Sequence, residues 1–324
     1  MRSRSFTIFF LLASLLFWLG PISCESSESG SRRVNPALVL SEQEVAELPS
    51  LTTGPAAFKF GFDLRNTPEE DARQYLPFLR YLSQATGLAF ELRFTPRGHS
   101  LAEELAAGRV DFAAIGGLSL LAAQRQGLVT PLAQGKNGAG KTSYQAAIIV
   151  TPASKLQRIT DLRGQRLALG DRNSTQGHLI PLIILHEHGL SLADLAAHSY
   201  TGSHAACAEA VLADRADACG LQDVMARRLA DQGLARIIHW SKEFPASGIA
   251  AHAGLEAAVI ARVRQALLDF APQGRDADGL YRWEQTEMAG GFAPVVPEDY
   301  LELARWVDFF GLLAPPDTTG EGRP

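Results

Sequence analysis

The chain of 324 residues carries a formal net charge of −5, with 46% hydrophobic and 20% charged residues. That composition is globular and leaves room for two domains of about 100–150 residues each. No basic stripe is present that could displace counterions from a phosphate backbone, which excludes nucleic acid as an expected partner.

Residues 1–23 read as an export signal, with Arg2 and Arg4 ahead of an apolar run from Phe6 to Leu19 that Gly20 and Pro21 interrupt. The run is short for a membrane span, which needs about twenty apolar residues. Cys24 follows Ile22 and Ser23 in the arrangement of a lipoprotein processing box, with Pro21 where Leu is usual. Lipidation at Cys24 is expected, with ordinary cleavage nearby as the alternative. Residues 24–57 begin rich in Ser, Glu and Gly and suit a tether between an anchor and a folded body. Losing the signal takes Arg2 and Arg4 from the 30 basic residues and leaves all 35 acidic ones, a net of −7. An anion bound by this chain is therefore held against the overall charge.

From Phe58 onward strands and helices alternate. Phe58–Leu64 predicts a strand, Ala72–Thr86 an amphipathic helix closed by Gly87, and Ala89–Phe94 a second strand. Ser100–Ala107 predicts a helix closed by Gly108, and Val110–Ile115 a buried strand. The β-α-β-α-β order implies an open, mostly parallel sheet covered by helices, with ligands at the carboxyl ends of its strands. Gly116-Gly117-Leu118-Ser119 occupies one such end, ahead of a helix at Leu120–Arg125. The stretch from Gly135 to Thr142 (GKNGAGKT) matches P-loop spacing. A P-loop must lead into a helix, whereas Ser143–Val150 is strand-like, so nucleotide binding is not expected.

A second α/β unit follows. Strands are predicted at Ala146–Thr151, Arg166–Leu169, Ala197–Tyr200, Ala216–Leu221 and Ile237–Trp240, with a helical turn at Ile159–Leu162 and helices ending at Gly189 and Leu212. Phe244–Ala251 reads as the return crossing, and Leu255–Ala271 and Leu301–Phe310 as helices. No internal repeat of fixed short period is present.

Two polar segments about thirty residues apart, Ser174-Thr175-Gln176-Gly177 and Gly202-Ser203-His204, each open a helix in this unit. A helix start leaves about four N–H groups unpaired and carries roughly half a positive charge, so a small anion binds there without a Lys or Arg cluster. Ser174 and Thr175 also read as helix caps, and capping does not exclude binding. His204 reads as a ligand donor or as a surface or core-edge histidine, and Gln222 and Asp223 as specificity residues or a solvated loop. Cys207 and Cys219 leave three readings open: a disulfide, buried free thiols, or soft metalloid ligands. No zinc-finger spacing, serine elbow, HExxH or paired-carboxylate signature occurs, so no metal, cofactor or catalytic group is expected.

Four strings, GDRNSTQGHLIP (Gly170–Pro181), Gly202-Ser203-His204-Ala205, RVDFAAIGGLS (Arg109–Ser119) and RADACG (Arg215–Gly220), resemble the PhnD family of phosphonate, phosphite and phosphate binding proteins of ABC importers. The similarity covers about residues 58 to 313. The family pattern Ser-Thr-Ser-Gly, followed by an apolar residue and Pro, is met by Ser174, Thr175, Gly177, Leu179 and Pro181, with Gln176 in place of the second Ser.

The resemblance implies an α/β, two-lobed periplasmic binding protein fold of type II, each lobe an open, mostly parallel sheet flanked by helices, joined by crossing hinge strands. Lobe 1 is expected at 58–146 plus 247–313, lobe 2 at 147–246, and a disordered tail at 314–324. Ser174 and Thr175 would donate to the anion from one segment and His204 from the opposite one, with Ser119, Gln176, Gly177, Ser203 and Asp223 completing the set. Two ligand-facing tyrosines of the family are missing: Leu120 stands at one position and Leu64-Arg65-Asn66 around the other. Arg65 either replaces a lost hydroxyl with a charge-assisted donor or is a solvated loop residue.

The expected function is an extracytoplasmic, monomeric receptor that captures a small oxyanion and performs no chemistry. The expected partner is an ABC permease. The alternative is a membrane sensor kinase to which the closed form reports a related oxyanion such as arsenite. An enzyme of related fold, such as a relative of pyrimidine-precursor synthases, is a third reading that the export signal opposes.

Overall fold

The computed structural model describes residues 57–96 and 99–313. The export signal, Cys24, the tether up to residue 56 and the tail from residue 314 lie outside the described residues. In chain order the strands are β1 Phe58–Phe62, β2 Phe90–Leu92, β3 Phe112–Ile115, β4 Val129–Gly135, β5 Ser143–Tyr144, β6 Ala146–Val150 and β7 Arg166–Leu169. They continue with β8 Ala197–Tyr200, β9 Ala218–Gln222, β10 Arg236–Trp240, β11 Phe244–Pro245, β12 Gly248–His252 and β13 Phe292–Ala293. The helices are α1 Pro68–Thr86, α2 Leu101–Ala106, α3 Gly117–Arg125, α4 Ile180–Glu187, α5 His204–Leu212, α6 Asp223–Asp231, α7 Ala257–Asp269 and α8 Leu301–Phe309.

One sheet has the order β13-β4-β12-β3-β1-β2 and the other β10-β6-β9-β7-β8. Both are mixed, where the sequence led us to expect mostly parallel sheets. β1 runs parallel to β2 and β3, and β7 parallel to β8 and β9. β12 is antiparallel to β3 and β4, and β6 is antiparallel to β9 and β10. The crossings cause this. The chain leaves the first sheet through β4, passes β5 and enters the second at β6, then returns from β10 through β11 into β12. A strand that enters a sheet from the other lobe starts at the cleft and so opposes the strands that end there. β5 and β11 tie the crossings together, with Tyr144 opposite Phe244 and Ser143 opposite Pro245.

Each sheet is covered on both faces, which is why its strands read as continuous apolar runs. All five residues of β6 are buried, with Ala146, Ile148 and Val150 packed on one side and Ala147 and Ile149 on the other. An aromatic cluster fills the first lobe, where Phe78 stacks on Trp283 at 4.9 Å and meets Phe60 edge-on at 5.9 Å. Helix α1 begins four residues earlier than its apolar period suggests. Thr67 caps it by accepting from Glu70 N at 3.3 Å, Pro68 sits in the first turn, and Gly87 closes it at φ 68°.

Strand β4 escaped the sequence reading because Pro131 interrupts it. Pro131 is tolerated at a bulge: Ala133 pairs with Ile249 and Pro131 with Ala250, which leaves Leu132 unpaired between them. The P-loop-like stretch runs from the end of β4 to β5, strand to strand, with no helix to face a phosphate.

Cys207 of α5 and Cys219 of β9 form a disulfide with their Cα atoms 5.8 Å apart, so the free-thiol and metalloid readings give way. The bridge sits in the core with Ala147, Ile149, Val211 and Met225. It pins the helix that carries His204 to the sheet beneath. Replacing both residues (Cys207→Ala with Cys219→Ala) is expected to lower unfolding free energy in urea by about 3 kcal/mol, the scale for a short closed loop. A loss under about 1 kcal/mol would mean that the bridge does not constrain the unfolded chain.

Candidate functional site

The first wall of the site is built where β1 ends. Asp63 N donates to Ala114 O at 3.1 Å, and the Asp63 carboxylate accepts from Gly116 N at 2.9 Å. The turn after it is held by Asp71, a buried carboxylate in the first turn of α1 that accepts from Arg65 N at 2.8 Å and from Asn66 Nδ2 at 2.8 Å. That clamp aims Arg65 inward.

Arg65 is 6% exposed, which corrects the solvated-loop reading. It is not a free donor either. Nε and Nη2 reach Glu287 Oε1 and Oε2, each at 3.2 Å, while Nη1 donates to Asp63 O at 2.9 Å and Tyr75 Oη at 3.2 Å. Four such bonds leave one of the five guanidinium donors.

The second wall is the helix start that the sequence singled out. Ser174 caps a π-helical turn, Thr175–Leu179, by accepting from Gly177 N at 2.9 Å, and the turn continues into α4. Gly177 is required by close approach: a Cβ there would lie 2.9 Å from Ser174 Oγ and 3.1 Å from both Gly170 Cα and His204 Cε1. Thr175 is buried and its Oγ1 accepts from Leu118 N at 2.9 Å, so this hydroxyl bridges the lobes. Gln176 Nε2 donates to Gln145 O at 2.7 Å and to Asp223 Oδ1 at 3.3 Å.

Between the walls lies a cavity of about 260 Å³. Asp63, Arg65, Gly116 and Glu287 line it from the first lobe, Ser174, Thr175, Gln176 and His204 from the second, and Tyr144 and Ser247 from the crossings. Three of these groups converge at Gly116, where a Cβ would sit 3.1 Å from Thr175 Oγ1, 3.6 Å from Asp63 Oδ2 and 3.8 Å from Ser247 Oγ. Two lining residues each carry a buried polar atom that meets no hydrogen-bond geometry among the described residues, the Tyr144 hydroxyl, which lies near the Thr175 and Ser247 side chains, and His204 Nδ1.

Of the residues expected at the site, Arg65, Ser174, Thr175, Gln176 and His204 line the cavity, and Ser119, Gly177, Ser203 and Asp223 do not. Each of the four is occupied elsewhere. Ser119 Oγ donates to Asn173 O at 3.1 Å across the lobes, and Ser203 caps α5 by accepting from Ala206 N at 3.1 Å. Asp223 is buried and accepts from Gln176 Nε2 and, at 2.9 Å, from Val224 N, and Gly177 is packed on Gly170.

Asp63, Tyr144, Ser247 and Glu287 were not anticipated. Asp63 had a signal, an acid at the carboxyl end of a parallel strand. Tyr144 and Ser247 lie on the crossings, which the sequence marks only as strands, and Glu287 follows a short 3₁₀ turn with no pattern of its own.

The electrostatics follow from burial. Burial pushes the Glu287 carboxyl up, but Arg65 outweighs it and holds the group below its ordinary value; Arg65 in turn stays charged. Asp63, half-buried at the cavity wall, is pushed up to about 6 by loss of solvent around its carboxyl, against the opposing pull of Arg65 and the Gly116 N–H. Burial lowers His204 to about 4, so it is neutral at pH 7 and presents one donor and one acceptor nitrogen. Burial also raises the Tyr144 phenol, which stays protonated.

Because the folded value of His204 lies below its unfolded value of 6.5, protonation favours the unfolded chain. Its contribution to stability is whole above pH 6.5 and is lost as pH falls toward 4. His204→Asn is expected to lose less stability than the wild type between pH 7 and pH 4.5, by about 2 kcal/mol in urea denaturation. Parallel losses would mean that His204 is solvated in the folded state.

The family model described as the periplasmic substrate-binding protein of a phosphonate ABC transporter matches residues 60–300. The chain is 28% identical over 129 residues to the phosphonates-binding periplasmic protein of Escherichia coli, a match that spans 39% of this chain and 38% of that protein. Among solved structures it is similar in fold to PhnD1 from Prochlorococcus marinus in complex with methylphosphonate. That likeness has a TM-score of 0.72 and 16% identity, covering 80% of this chain and all (100%) of the other. A binding protein component of an ABC phosphonate transporter from Pseudomonas aeruginosa gives a TM-score of 0.66 at 19% identity, covering 79% of this chain and 87% of the other.

Proposed function

The chain belongs to the family of periplasmic substrate-binding proteins of phosphonate ABC transporters, and on that premise we propose that it captures a small phosphonate-like oxyanion for delivery to a permease. The observation that carries this reading is the pair of orphaned polar atoms. The Tyr144 hydroxyl and His204 Nδ1 are buried on the wall of one cavity, beside Ser174 and Thr175 at a helix start. A buried polar group without a partner costs about 1–3 kcal/mol, so a ligand that satisfies both recovers that free energy on binding.

The roles divide by residue. The Ser174–Gln176 backbone and the dipole of the helix hold the anion charge. Thr175 and Tyr144 donate hydroxyl hydrogens, and neutral His204 donates through one ring nitrogen. Tyr144 thereby supplies a phenol in a site that lacks the two tyrosines usual in the family. The lobes, residues 58–146 with 247–313 and residues 147–246, close on the ligand by bending at β5 and β11. The protein works as a monomer outside the cytoplasm, is anchored through a lipid at Cys24, and has no chemistry of its own. No residue of the site favours the sensing role over uptake.

Calorimetric titration of the full-length protein with phosphate, methylphosphonate, phosphite and sulfate tests the ligand class; no binding below millimolar concentration by any of them would refute the reading. Tyr144→Phe separates ligand contact from structure. It is expected to leave thermal stability unchanged or raised, since an unsatisfied hydroxyl is removed, while weakening oxyanion binding by about 1–3 kcal/mol. Unchanged affinity would take Tyr144 out of the site.

A further inference from the structure

The cavity that we assign to an anion is also lined by carboxylates. Among the described residues, Asp63, Asp171 and Glu287 face it, with Arg65, His99, His204 and Tyr144 as the other titratable or charged side chains on its wall. Glu287 is joined to Arg65 at two points and presents no net charge as a pair. Asp171 is exposed. Asp63 differs from both. It has no side-chain cation as a direct partner among the described residues; the charge near it, Arg65, spends its Nη1 on the Asp63 carbonyl. One carboxylate oxygen accepts from Gly116 N, within the same small space that Thr175 Oγ1 and Ser247 Oγ border.

A carboxylate in such a place is an acceptor only, unless it is itself protonated. Set against a fully ionised oxyanion it repels, and both oxygens lose water without gaining a partner. Set against an oxyanion that still carries a proton, it accepts a short charge-assisted hydrogen bond. Resting on the oxyanion reading above, we propose that Asp63 is the specificity-determining residue of the site: it reads the ligand's proton, and so admits phosphonates, phosphite and phosphate while rejecting sulfate and sulfonates.

The proton lies between Asp63 and one ligand oxygen, and it comes either from the ligand or from the carboxyl, which burial holds near pH 6. Once both free partners are deprotonated, each binding event must take up one proton from solvent. Arg65 and Glu287 keep each other charged, burial keeps His204 neutral and Tyr144 protonated, and none of these four supplies that proton in mildly alkaline solution.

The test is calorimetry on the full-length protein with methylphosphonate and methanesulfonate, which match in shape and differ in the proton, at pH 6 to 9 in buffers of different ionisation enthalpy. At pH 8, where the carboxyl is ionised, the wild type is expected to favour methylphosphonate by about tenfold or more, since a site built around a hydrogen bond rejects the analogue that lacks it, and the preference should shrink toward pH 6, where a protonated Asp63 donates to either ligand. The wild-type affinity for methylphosphonate should fall about tenfold between pH 8 and 9, with one proton taken up. In Asp63→Asn the amide keeps an acceptor for Gly116 N–H and turns a donor to the ligand, so the preference should narrow at least about tenfold and the pH slope flatten.

Equal wild-type affinity for the two ligands, or a preference and slope unchanged in Asp63→Asn, overturns the role of Asp63 and leaves the oxyanion reading standing. Failure of every oxyanion to bind the wild type takes down both. The wild-type ratio and slope need no variant, so a misfolded Asp63→Asn does not shield the proposal.

Discussion

The buried ion pair between Arg65 and Glu287 decides how this protein can hold an anion. The two side chains meet bidentately from positions 222 residues apart, both almost out of solvent. Taking two charges out of water costs several kcal/mol per ion, and only good geometry with further hydrogen bonds offsets it. Here the remaining Arg65 protons on Nη1 find the Asp63 carbonyl and the Tyr75 hydroxyl. The pair locks the turn after β1 to the segment before β13, and it withdraws the positive charge from service. Among the described residues, the donors left to an anion in the cavity are one Arg65 N–H, the lining side chains and the helix termini.

Topology brings those donors together. Strands β1, β3, β7 and β9 end at the cleft while β6 and β12 begin there, so six strand termini from two sheets surround one space. Such termini carry short turns and helix starts, where backbone N–H groups are free and small residues allow close approach. Gly116 and Gly177 are the two points at which a single methyl group would intrude on Thr175 Oγ1 or on Ser174 Oγ. The crossings add Tyr144 and Ser247, so the segments that join the two sheets also contribute to the wall.

How much of this was legible in the sequence follows the same division. The second-lobe wall was visible because helix starts have a local chemistry: Ser174 and Ser203 both cap, as their residue type demands, and Thr175 and His204 face the cavity. Caps alone do not say which of them lines the cavity: Ser174 does and Ser203 does not. Asp223 lies off the cavity lining, and its partner is Gln176 Nε2, a contact 47 residues away that no spacing encodes. The first-lobe wall was nearly illegible. Arg65 stays open between donor and loop residue in the sequence because its ionic partner lies 222 residues away, and Glu287 carries no motif. The mixed direction of the sheets was hidden as well, since crossing strands share the apolar pattern of the strands they oppose.

Thr175 shows why capping, bridging and binding are not competing descriptions. A threonine hydroxyl has one hydrogen to donate and two lone pairs to accept with. Its oxygen accepts from Leu118 N across the cleft at 2.9 Å, which uses one lone pair and leaves the hydrogen free. The contact that draws the lobes together therefore orients the hydroxyl without consuming its donor. On the proposed reading, separation of the lobes would cost Leu118 N that partner and the hydroxyl its fixed direction, so an anion would meet a well-ordered donor in the closed arrangement. Closure and ligand affinity would then be coupled through one oxygen atom, and a ligand that binds better to the closed arrangement would shift the equilibrium toward it by that difference and no more.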